Sequence, residues 1–439
     1  MKKFILLTAL SVLSLTAAAQ EAPVVSPYSR YGVGLLGDRA LGFNKGMAGT
    51  GIGMADGRQL NALNPASYAR IDSLSFLFDI GMSLQNANLS ADGTKMNSGT
   101  AQFDYLAMGF RLAPNLGMSL GVLPFSNIGY EISSTGSPID NGLGTTVTPT
   151  TTYAGSGGLH SVYAGVGYAP IRPLAIGLNL GYLWGTMSHS ALTSYSLSTV
   201  QPLRRAYDAE VRSYTLDAGL QYHQRLNRKH QLTLGLTYGL GHDLGGTSKF
   251  YNQRLTSSTV SAADTISVSD AYSIPQTFGV GLTWQWSNSL RVGLDYQRQQ
   301  WASATTPTLQ TATDGTLSYV KSKGAYADMN KFNLGAEYLG NPNGFDWSSR
   351  VRYRFGLGYA TPYTYVNGQK GPKSYTASVG IGLPIMSVHN SRDNYSYLNI
   401  SAQFEHVKPQ VTGQLTENYF RLSVGLSFNQ RWFMKWKVD

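Results

Sequence analysis

Three arginines at alternate positions are the residues in this sequence best suited to binding chemistry. Arg350, Arg352 and Arg354 are separated by apolar residues, and in a strand this spacing places all three guanidinium groups on one face. Such a row can hold a carboxylate through paired hydrogen bonds. Two interpretations are open: the arginines bind the acidic head group of a ligand, or they form ion pairs within the protein. The internal partners would be Glu337, Asp295, Asp38, Asp56 and Asp72, and Arg291 would pair with Asp295 in the same way.

Residues typical of catalysis and metal binding are present, but without the spacing that such chemistry needs. The seven histidines are scattered, with no H-E-x-x-H motif and no pair at helical spacing. Gly51, Gly53 and Gly57 do not have the spacing of a dinucleotide-binding fingerprint, and cysteine is absent. The sequence therefore predicts no catalytic residue, no metal site, no cofactor and no enzymatic activity. A Ser–His or Asp–His pair could form only between positions distant in sequence.

Residues 1–19 have the three parts of a secretory signal peptide. Lys2 and Lys3 precede a short apolar core, and Ala17–Ala19 supplies a small-residue cleavage site. After this segment no run approaches the roughly 18 apolar residues of a transmembrane helix. We therefore predict an exported protein that does not cross a membrane with helices.

The composition is unusual for a soluble exported protein. The chain has 49 glycines and 28 tyrosines, only 13% of its residues are charged, and its net charge is +10. The positive charge does not form a basic patch interleaved with a nucleic-acid-binding motif, so we expect no nucleic-acid partner. We assign the charge to the lining and rims of the folded structure. No linker or break in composition divides the chain after residue 72.

From Ser73 onward, apolar and polar residues alternate with a period of two, which is typical of β-strands with one apolar face. In the final segment, the apolar face consists of Phe420, Leu422, Val424, Leu426 and Phe428. The pattern occurs fourteen times, at 74–82, 106–110, 116–122, 162–168, 176–184, 214–222, 232–238, 278–284, 290–296, 332–338, 351–359, 375–383, 398–404 and 420–428.

A soluble β-sandwich would also alternate, but other features favour a membrane barrel. Tyr or Trp stands at the ends of many apolar faces, the opposite face is small or polar, and the strand number is even. Connections alternate between tight turns and long loops, as in outer-membrane barrels. The long loops are predicted at 127–158, 189–209, 241–271 and 301–328, with the threonine-rich stretch 145–152 as a mobile external loop. The predicted fold is all-β: a fourteen-stranded antiparallel transmembrane barrel formed by residues 73–439.

Residues 20–72 differ from the rest of the chain because they lack strand periodicity. This segment is rich in glycine, yet it carries many aromatic and apolar residues, including Tyr28, Phe43 and Met47. A solvated tail would not need these residues. A fourteen-stranded barrel is too wide for its own side chains to fill. We therefore predict that residues 20–72 form a plug inside the barrel.

In this arrangement the sequence resembles the FadL-type outer-membrane transporters of long-chain fatty acids and other hydrophobic compounds. The resemblance rests on a Gly/Ala-rich run at 46–57 that leads to Asn64, Pro65 and Ala66 before the first strand, followed by fourteen strands. The stretches at 26–32, 57–68, 72–79 and 429–437 are similar to the Bacteroidetes branch of this family. That branch includes proteins of unknown cargo and is similar to a barrel component of type IX secretion.

The resemblance implies a plug (hatch) motif at Asn64, Pro65 and Ala66. Family members carry an inward kink in the third strand that opens the barrel wall sideways, and Pro124 could belong to such a kink because proline removes a ladder donor. The alternative is that Pro124 ends the strand before the long loop. The resemblance further implies passive uptake of hydrophobic or amphipathic molecules, most of all long-chain fatty acids, with exit into the membrane. An arginine among Arg350, Arg352 and Arg354 would orient the head group.

The expected location is the outer membrane of a Gram-negative cell, with membrane lipid and a hydrophobic small molecule as partners and a monomer as the oligomeric state. A second function remains open: a structural or docking barrel that serves a protein-secretion machine. A transporter needs a continuous apolar cavity above the plug, whereas a docking barrel does not. An open porin for polar solutes is disfavoured because the predicted plug would obstruct it.

Overall fold

The computed structural model describes residues 26–91, 93–140, 146–256, 259–341, 346–386, 395–411 and 413–431. The predicted signal peptide and the last residues of the predicted C-terminal motif lie outside these ranges. Within them, no helix is both long enough and apolar enough to span a membrane.

Fourteen long strands, labelled β1 to β14 in chain order, form one antiparallel sheet. They are β1 Ser75–Ala91, β2 Thr94–Ala113, β3 Leu116–Thr135, β4 Pro149–Ile171, β5 Leu174–Tyr195, β6 Leu203–Arg225, β7 His230–Gly239, β8 Thr277–Trp286, β9 Leu290–Gln299, β10 Met329–Leu339, β11 Arg352–Ala360, β12 Lys373–Met386, β13 Tyr395–Lys408 and β14 Thr416–Arg431. Each strand pairs with its neighbours in sequence, and β14 pairs with β1 over sixteen residues from Ser75↔Arg431 to Ser90↔Thr416. The sheet is therefore a closed barrel, and all fourteen predicted strands are confirmed.

Burial alternates along each strand because one face meets the membrane and the other meets the lumen. On β1, Asp79, Ser83 and Gln85 are buried, whereas Met82 and Leu84 are 62% and 60% exposed. A wall whose outer face is apolar and whose inner face is polar or small is the pattern of a membrane barrel.

Several strands extend beyond the predicted apolar segments, so the predicted loop bounds were too wide. β3 continues to Thr135 and β4 begins at Pro149, inside the predicted loop 127–158, and the described part of the threonine-rich stretch 145–152 is mainly strand. β5 and β6 likewise shorten the predicted loop 189–209. In these extensions the outward residues become mainly polar, whereas inward residues such as Ile128 and Tyr130 stay apolar and buried. The signal of a lipid-facing apolar face therefore ends while the hydrogen-bonded ladder continues.

The two remaining long connections contain structure of their own. A hairpin of Gly246–Thr256 and Thr259–Ser269 pairs with the outer half of β6. Another hairpin, Thr306–Thr311 and Leu317–Ser322, follows a short 3-10 helix at Trp301–Ser303. Shorter strand pairs are Ile139–Asp140 with Thr146–Val147, His242–Asp243 with Ser273–Ile274, and Tyr365–Val366 with Gln369–Lys370.

The N-terminal segment before β1 is mostly irregular and mostly buried. Residues 26–72, called the plug segment below, contain a 3-10 helix Pro27–Arg30, a two-residue strand Leu35–Leu36, the short α-helix α1 Gly42–Lys45 and a 3-10 helix Pro65–Arg70. Ser26 and Asn64 cap the two 3-10 helices by accepting backbone N–H bonds from Tyr28 and Ala66. One small apolar cluster, Phe43, Met47 and Met54, lies within the segment, and Leu41, Leu60 and Tyr68 pack with residues of the barrel wall.

Candidate functional site

The inner wall is shaped to receive the plug segment by glycines that face it. A Cβ atom placed on any of seven of these glycines would lie within 2.9 Å of a backbone atom of the plug segment. The seven are Gly117, Gly167, Gly177, Gly235, Gly281, Gly356 and Gly380, each on a different strand. Glycine is needed here because two backbones approach too closely for any side chain. We call these seven residues the glycine seat. They allow the backbone of the plug segment to pack directly against the barrel wall.

Opposite charges tie the plug segment to the wall on the side of β9 to β11. Asp56 Oδ2 accepts hydrogen bonds from Nη1 of Arg352 at 2.8 Å and from Nη1 of Arg291 at 3.0 Å. Glu337 of β10 accepts from Nη1 of Arg352 at 3.1 Å and from Nε of Arg354 at 2.8 Å. We call these five residues the latch. Four of them (Asp56, Glu337, Arg352 and Arg354) are between 5% and 7% exposed.

Other donors of Arg352 and Arg354 also have partners. Arg352 Nε donates to the hydroxyl of Tyr397 at 2.9 Å, and Arg354 donates to Asn399 Oδ1 at 2.7 Å and to Gln59 Oε1 at 3.3 Å. Arg352 and Arg354 therefore act in this structure as internal ion-pair residues. Contact between them and a ligand head group stays a prediction.

Two details of the predicted arginine group were wrong. Arg350 lies in the 3-10 helix Ser348–Arg350 before β11, and Val351 is buried instead of facing lipid. Arg291 pairs with Asp56 and Glu337, whereas Asp295 accepts backbone N–H bonds from Gly51 and Ile52 of the plug segment. Alternation of residue types in the sequence does not show where a strand begins. Two opposite charges on one strand also need not pair with each other when the plug segment brings a charged residue close to one of them.

The predicted hatch motif, which is part of the plug segment, is buried between Ile52 of the same segment and β6. Asn64 is fully buried, and its Nδ2 donates to the backbone oxygens of Ile52 at 2.8 Å and Leu220 at 3.2 Å. Pro65 begins the 3-10 helix, and Ala66 is also fully buried. Movement of this motif would break plug and wall contacts together.

Other acidic residues connect the plug segment at different heights. Lys45 Nζ lies 3.1 Å from Asp104 Oδ2 of β2, and Arg39 pairs with Asp217 of β6 at 2.6 Å. Of the predicted acidic partners, Asp38 accepts from the backbone N–H of Ala40, and the more exposed Asp72 lies 3.4 Å from Arg58.

The electrostatics of Asp56 predict that the latch resists acid. Burial alone would raise the pKa of Asp56, but Arg352 and Arg291 outweigh it and hold the pKa well below its usual range. In the unfolded chain the pKa of an aspartate is about 3.9, so above this pH the lower pKa of Asp56 stabilises the folded form. This stabilisation is lost only as the pH falls through the pKa of Asp56 in the folded protein. We expect no channel steps in planar bilayers between pH 7 and about pH 5. Acid-induced opening within this window would contradict the assignment.

The wall is incomplete between β2 and β3. Their pairing runs from Ala113↔Leu116 to Leu106↔Val122 and stops there, although both strands continue outward. Beyond this point β3 instead pairs with the plug segment, Leu36 opposite Ser126 and Leu35 opposite Asn127. The N–H of Gly37 also donates to the backbone oxygen of Phe125 at 2.8 Å. A gap in the wall is thus closed from inside by an extended stretch of the plug segment.

Pro124 lies at this gap, within β3 and not at its end. The pairing of β3 with β4 shifts register between Pro124 and Ser126, as expected for a residue that cannot donate to the ladder. The alternative that Pro124 ends the strand is therefore wrong, because β3 continues to Thr135.

The lumen on the extracellular side of the plug segment is filled by the protein's own apolar side chains. Inward residues of β3 to β6 pack there with external loops and Val33 of the plug segment. The ring centroid of Trp301 lies 4.7 Å from that of Tyr363 and 5.5 Å from that of Tyr326. The full set, called the upper cluster, is Val33, Ile128, Tyr130, Leu159, Leu183, Met187, Ala209, Val211, Leu244, Ile274, Trp301, Ala304, Tyr326 and Tyr363.

A cavity of about 370 Å³ lies at the mouth of the barrel, beside the plug segment. It is lined by Tyr31 and Gly32 of the plug segment, by Gly324 and Ala325, and by Tyr365 and Gly368 of external loops. The predicted long loops at 189–209 and 241–271 do not line it. The plug segment therefore touches this external cavity at residues 31–32 and closes the wall gap at residues 35–37.

The described residues contain a Ser–His contact but not a complete catalytic group. Ser213 Oγ lies 3.1 Å from His242 Nε2, while His242 Nδ1 has no hydrogen-bond partner there. A nucleophile–base pair needs a third group to orient the base. Within the same part of the chain, no group of three or more His, Cys, Asp or Glu side chains could hold a metal ion.

Several solved structures share this architecture at low sequence identity. A CymD monoaromatic hydrocarbon channel is 15% identical over 91% of this chain and 99% of its own, with a TM-score of 0.59. A FadL homologue of Pseudomonas aeruginosa is 12% identical over 90% and 99%, with a TM-score of 0.61. The toluene transporter TbuX of Ralstonia pickettii is 16% identical over 90% and 99%, with a TM-score of 0.58. At these identities the similarity concerns the fold.

The closed wall of fourteen strands and these structural relatives define an outer-membrane β-barrel fold of the FadL type. The chain belongs to the BamG family, whose sequence profile matches residues 1–439. No curated protein sequence matches it. The resemblance to the Bacteroidetes branch stays a prediction.

Proposed function

We propose that this protein resides in the outer membrane and lets hydrophobic small molecules, such as long-chain fatty acids, pass through a side opening that the plug segment closes at rest. One observation carries the proposal: a single stretch of the plug segment lines the external cavity at Tyr31 and Gly32 and fills the wall gap at Leu35 and Leu36. A ligand that displaces the first part would thereby loosen the second. The structural relatives named as hydrocarbon channels and transporters are consistent with such a cargo.

The energetics are sufficient for an acyl chain to open the gap. Each methylene transferred from water into an apolar environment contributes about 0.8 kcal/mol. The hydrogen bonds that close the gap involve only a few backbone groups, each with a modest net contribution of about 1 kcal/mol. Burial of several methylenes at the cavity can therefore offset the opening of the gap. The latch can remain closed throughout, because it lies elsewhere on the plug segment.

A disulfide across the gap tests this proposal directly. Leu36 and Ser126 are paired across an antiparallel ladder, a geometry that a disulfide can bridge, and the chain has no other cysteine. We expect Leu36→Cys/Ser126→Cys to block oleate uptake when oxidised and to regain it on reduction. The matched control is Thr135→Cys/Thr150→Cys, which bridges β3 and β4 away from the gap. Uptake that continues through the oxidised gap disulfide would refute the side opening.

A second function is favoured by the upper cluster. The space where a transporter would hold an apolar ligand is packed with the protein's own side chains, and the latch fixes the plug segment by buried charges. A barrel sealed in this way suits a docking or structural role beside a secretion machine. Absence of saturable oleate binding to the wild-type barrel, with folding verified by heat-modifiable gel mobility, would favour this function over uptake.

A further inference from the structure

The outer part of β2 has a free edge in the barrel wall. Residues 99–105, called the β2 lip, pair with β1 on one side, from Gly99↔Asn86 to Tyr105↔Gly81. On the other side, the pairing with β3 ends at Leu106. Among the described residues, no other strand pairs with the β2 lip on that side.

The β2 lip lies at the height of the apolar outer belt. Phe103 is paired with Met82, and Ala101 with Leu84, and both β1 residues are more than half exposed on the outer face. In apolar surroundings an unpaired strand edge is costly, because no water is present to bond its N–H and C=O groups. The edge therefore needs a partner in the membrane.

The β2 lip has a β-bulge at Asp104, whose buried carboxylate pairs with Lys45, but it lacks the outward-facing devices that usually protect an edge. Residues 99–105 contain no proline and no lysine. Ala101 and Phe103 are exposed, and a Cβ on Gly99 would meet nothing within 4 Å. The outer face of this part of the strand is thus uncovered.

The opposite side of the gap shows what kind of group fits. There, β3 binds an extended apolar segment, Leu35–Leu36, by strand pairing. A closed barrel has no free edge to offer except at a gap of this kind, so the complementary occupant is an extended loop or terminal segment.

We propose that the β2 lip binds an extended segment of a partner outer-membrane protein by strand addition. Seven lip residues correspond to a bound strand of about 23 Å. In the partner strand, alternate residues would be apolar where they flank Phe103 on the lipid side and small or polar where they flank Thr100 on the inner side. This inference rests on the docking function, and it names the surface that would serve it.

Site-specific photo-cross-linking in native outer membranes tests the proposal. A photoreactive phenylalanine analogue is placed at Ala101 or Phe103, with controls at Leu282 and Leu334, which are similarly exposed on the fully paired strands β8 and β10. We expect both lip positions to cross-link to the same partner protein. The two cross-linked residues of the partner should lie two positions apart within one segment. The controls should not reach that segment. Cross-links to lipid alone, to scattered sites or to a second copy of this chain would overturn the proposal.

An edge lysine provides the second variant. Phe103→Lys, combined with the cross-linker at Ala101, should lower the yield about tenfold, because an inward or edge charge opposes strand addition. Heat-modifiable gel mobility verifies that the barrel is folded. An unchanged yield in a folded variant would also overturn the proposal. Oleate uptake is measured in a separate assay, so the cross-linking result can be interpreted even if the protein does not transport oleate.

Discussion

Replacing Arg352 with alanine is expected to release the plug segment from the wall without unfolding the barrel. The substitution removes the residue that bridges Asp56 of the plug segment and Glu337 of β10. Both carboxylates would remain buried, with only Arg291 and Arg354 to balance them. Loss of one partner of a buried ion pair costs about 3–5 kcal/mol. The strands do not depend on this group, because their ladders and outer apolar faces are intact.

A single cysteine in the plug segment measures the release. Ala62 is 2% exposed, and the natural chain has no cysteine, so the labelling of Ala62→Cys by a maleimide reports opening alone. A loss of 3–5 kcal/mol corresponds to an increase in labelling rate of at least about 100-fold. Channel steps in planar bilayers should appear at the same time. Arg228→Ala, at an exposed turn residue, is the control and should label like the parent.

Charge balance sharpens the test. Arg352→Ala alone leaves two carboxylates facing two arginines in the latch, whereas Asp56→Asn combined with Arg352→Met leaves Glu337 facing Arg291 and Arg354, with one positive charge in excess. We expect the double variant to label at least as fast as Arg352→Ala, because Asp56→Asn also removes the only acidic group that the plug segment contributes to the latch. If Arg352→Ala labels like Arg228→Ala, the latch does not hold the plug segment, and the ligand-contact interpretation of Arg352 would gain support.

The strands could be predicted because the membrane imposes their pattern. Lipid outside and plug or solvent inside force alternate residues to differ, and this difference is visible in sequence at each of the fourteen positions. The ends could not be predicted in the same way. Where strands leave the membrane, as at Thr150 and Thr151 in β4, both faces are polar and only long-range pairing keeps them extended.

The latch was predictable in part. The alternation of Arg352 and Arg354 with aromatic residues indicated that both face inward, and Asp56 and Glu337 were among the expected partners. The choice among five acidic residues depends on where the plug segment meets the wall. That contact joins residues nearly 300 positions apart in sequence, and no local pattern encodes it.

The wall gap and the upper cluster could not be predicted from the sequence pattern for the same reason. Pro124 indicates an interrupted ladder, but which neighbour β3 loses, and what replaces it, is decided by Leu35 and Leu36 from the plug segment. Trp301 and Tyr326 come from opposite ends of the connection between β9 and β10, and Tyr363 comes from the connection between β11 and β12. Their apolar character is visible in sequence, whereas their meeting point above the plug segment requires the closed barrel.

The glycine seat is a case in which the signal was present and not used. The inner faces of the strands repeat glycine at one height, and such repetition has no explanation in a lumen that holds only water. The pattern indicates close approach of a second backbone.

A substitution in the glycine seat, at Gly356, is expected to have a large effect on the plug segment. Gly356→Leu would place a Cβ within 2.6 Å of the Cα of Met47, against backbone that cannot rotate away. Overpacking of a side chain usually costs about 1–3 kcal/mol, and a clash between backbones exceeds this range because neither side can choose another rotamer. The plug segment should therefore fail to seat, while β11 keeps its ladder.

The measurement distinguishes seating from folding. We expect the Gly356→Leu barrel to show normal heat-modifiable mobility, rapid maleimide labelling of Ala62→Cys and steady conductance. Gly340→Leu, whose added Cβ would have only one neighbour, at 4.0 Å, should remain closed and slow to label. If Gly356→Leu stays closed, the plug segment must shift within the barrel to accommodate leucine, and the seat would be a loose fit. If it opens as Arg352→Ala does, shape and charge hold the same element independently, and combining the two substitutions should add nothing once the plug segment has left the wall.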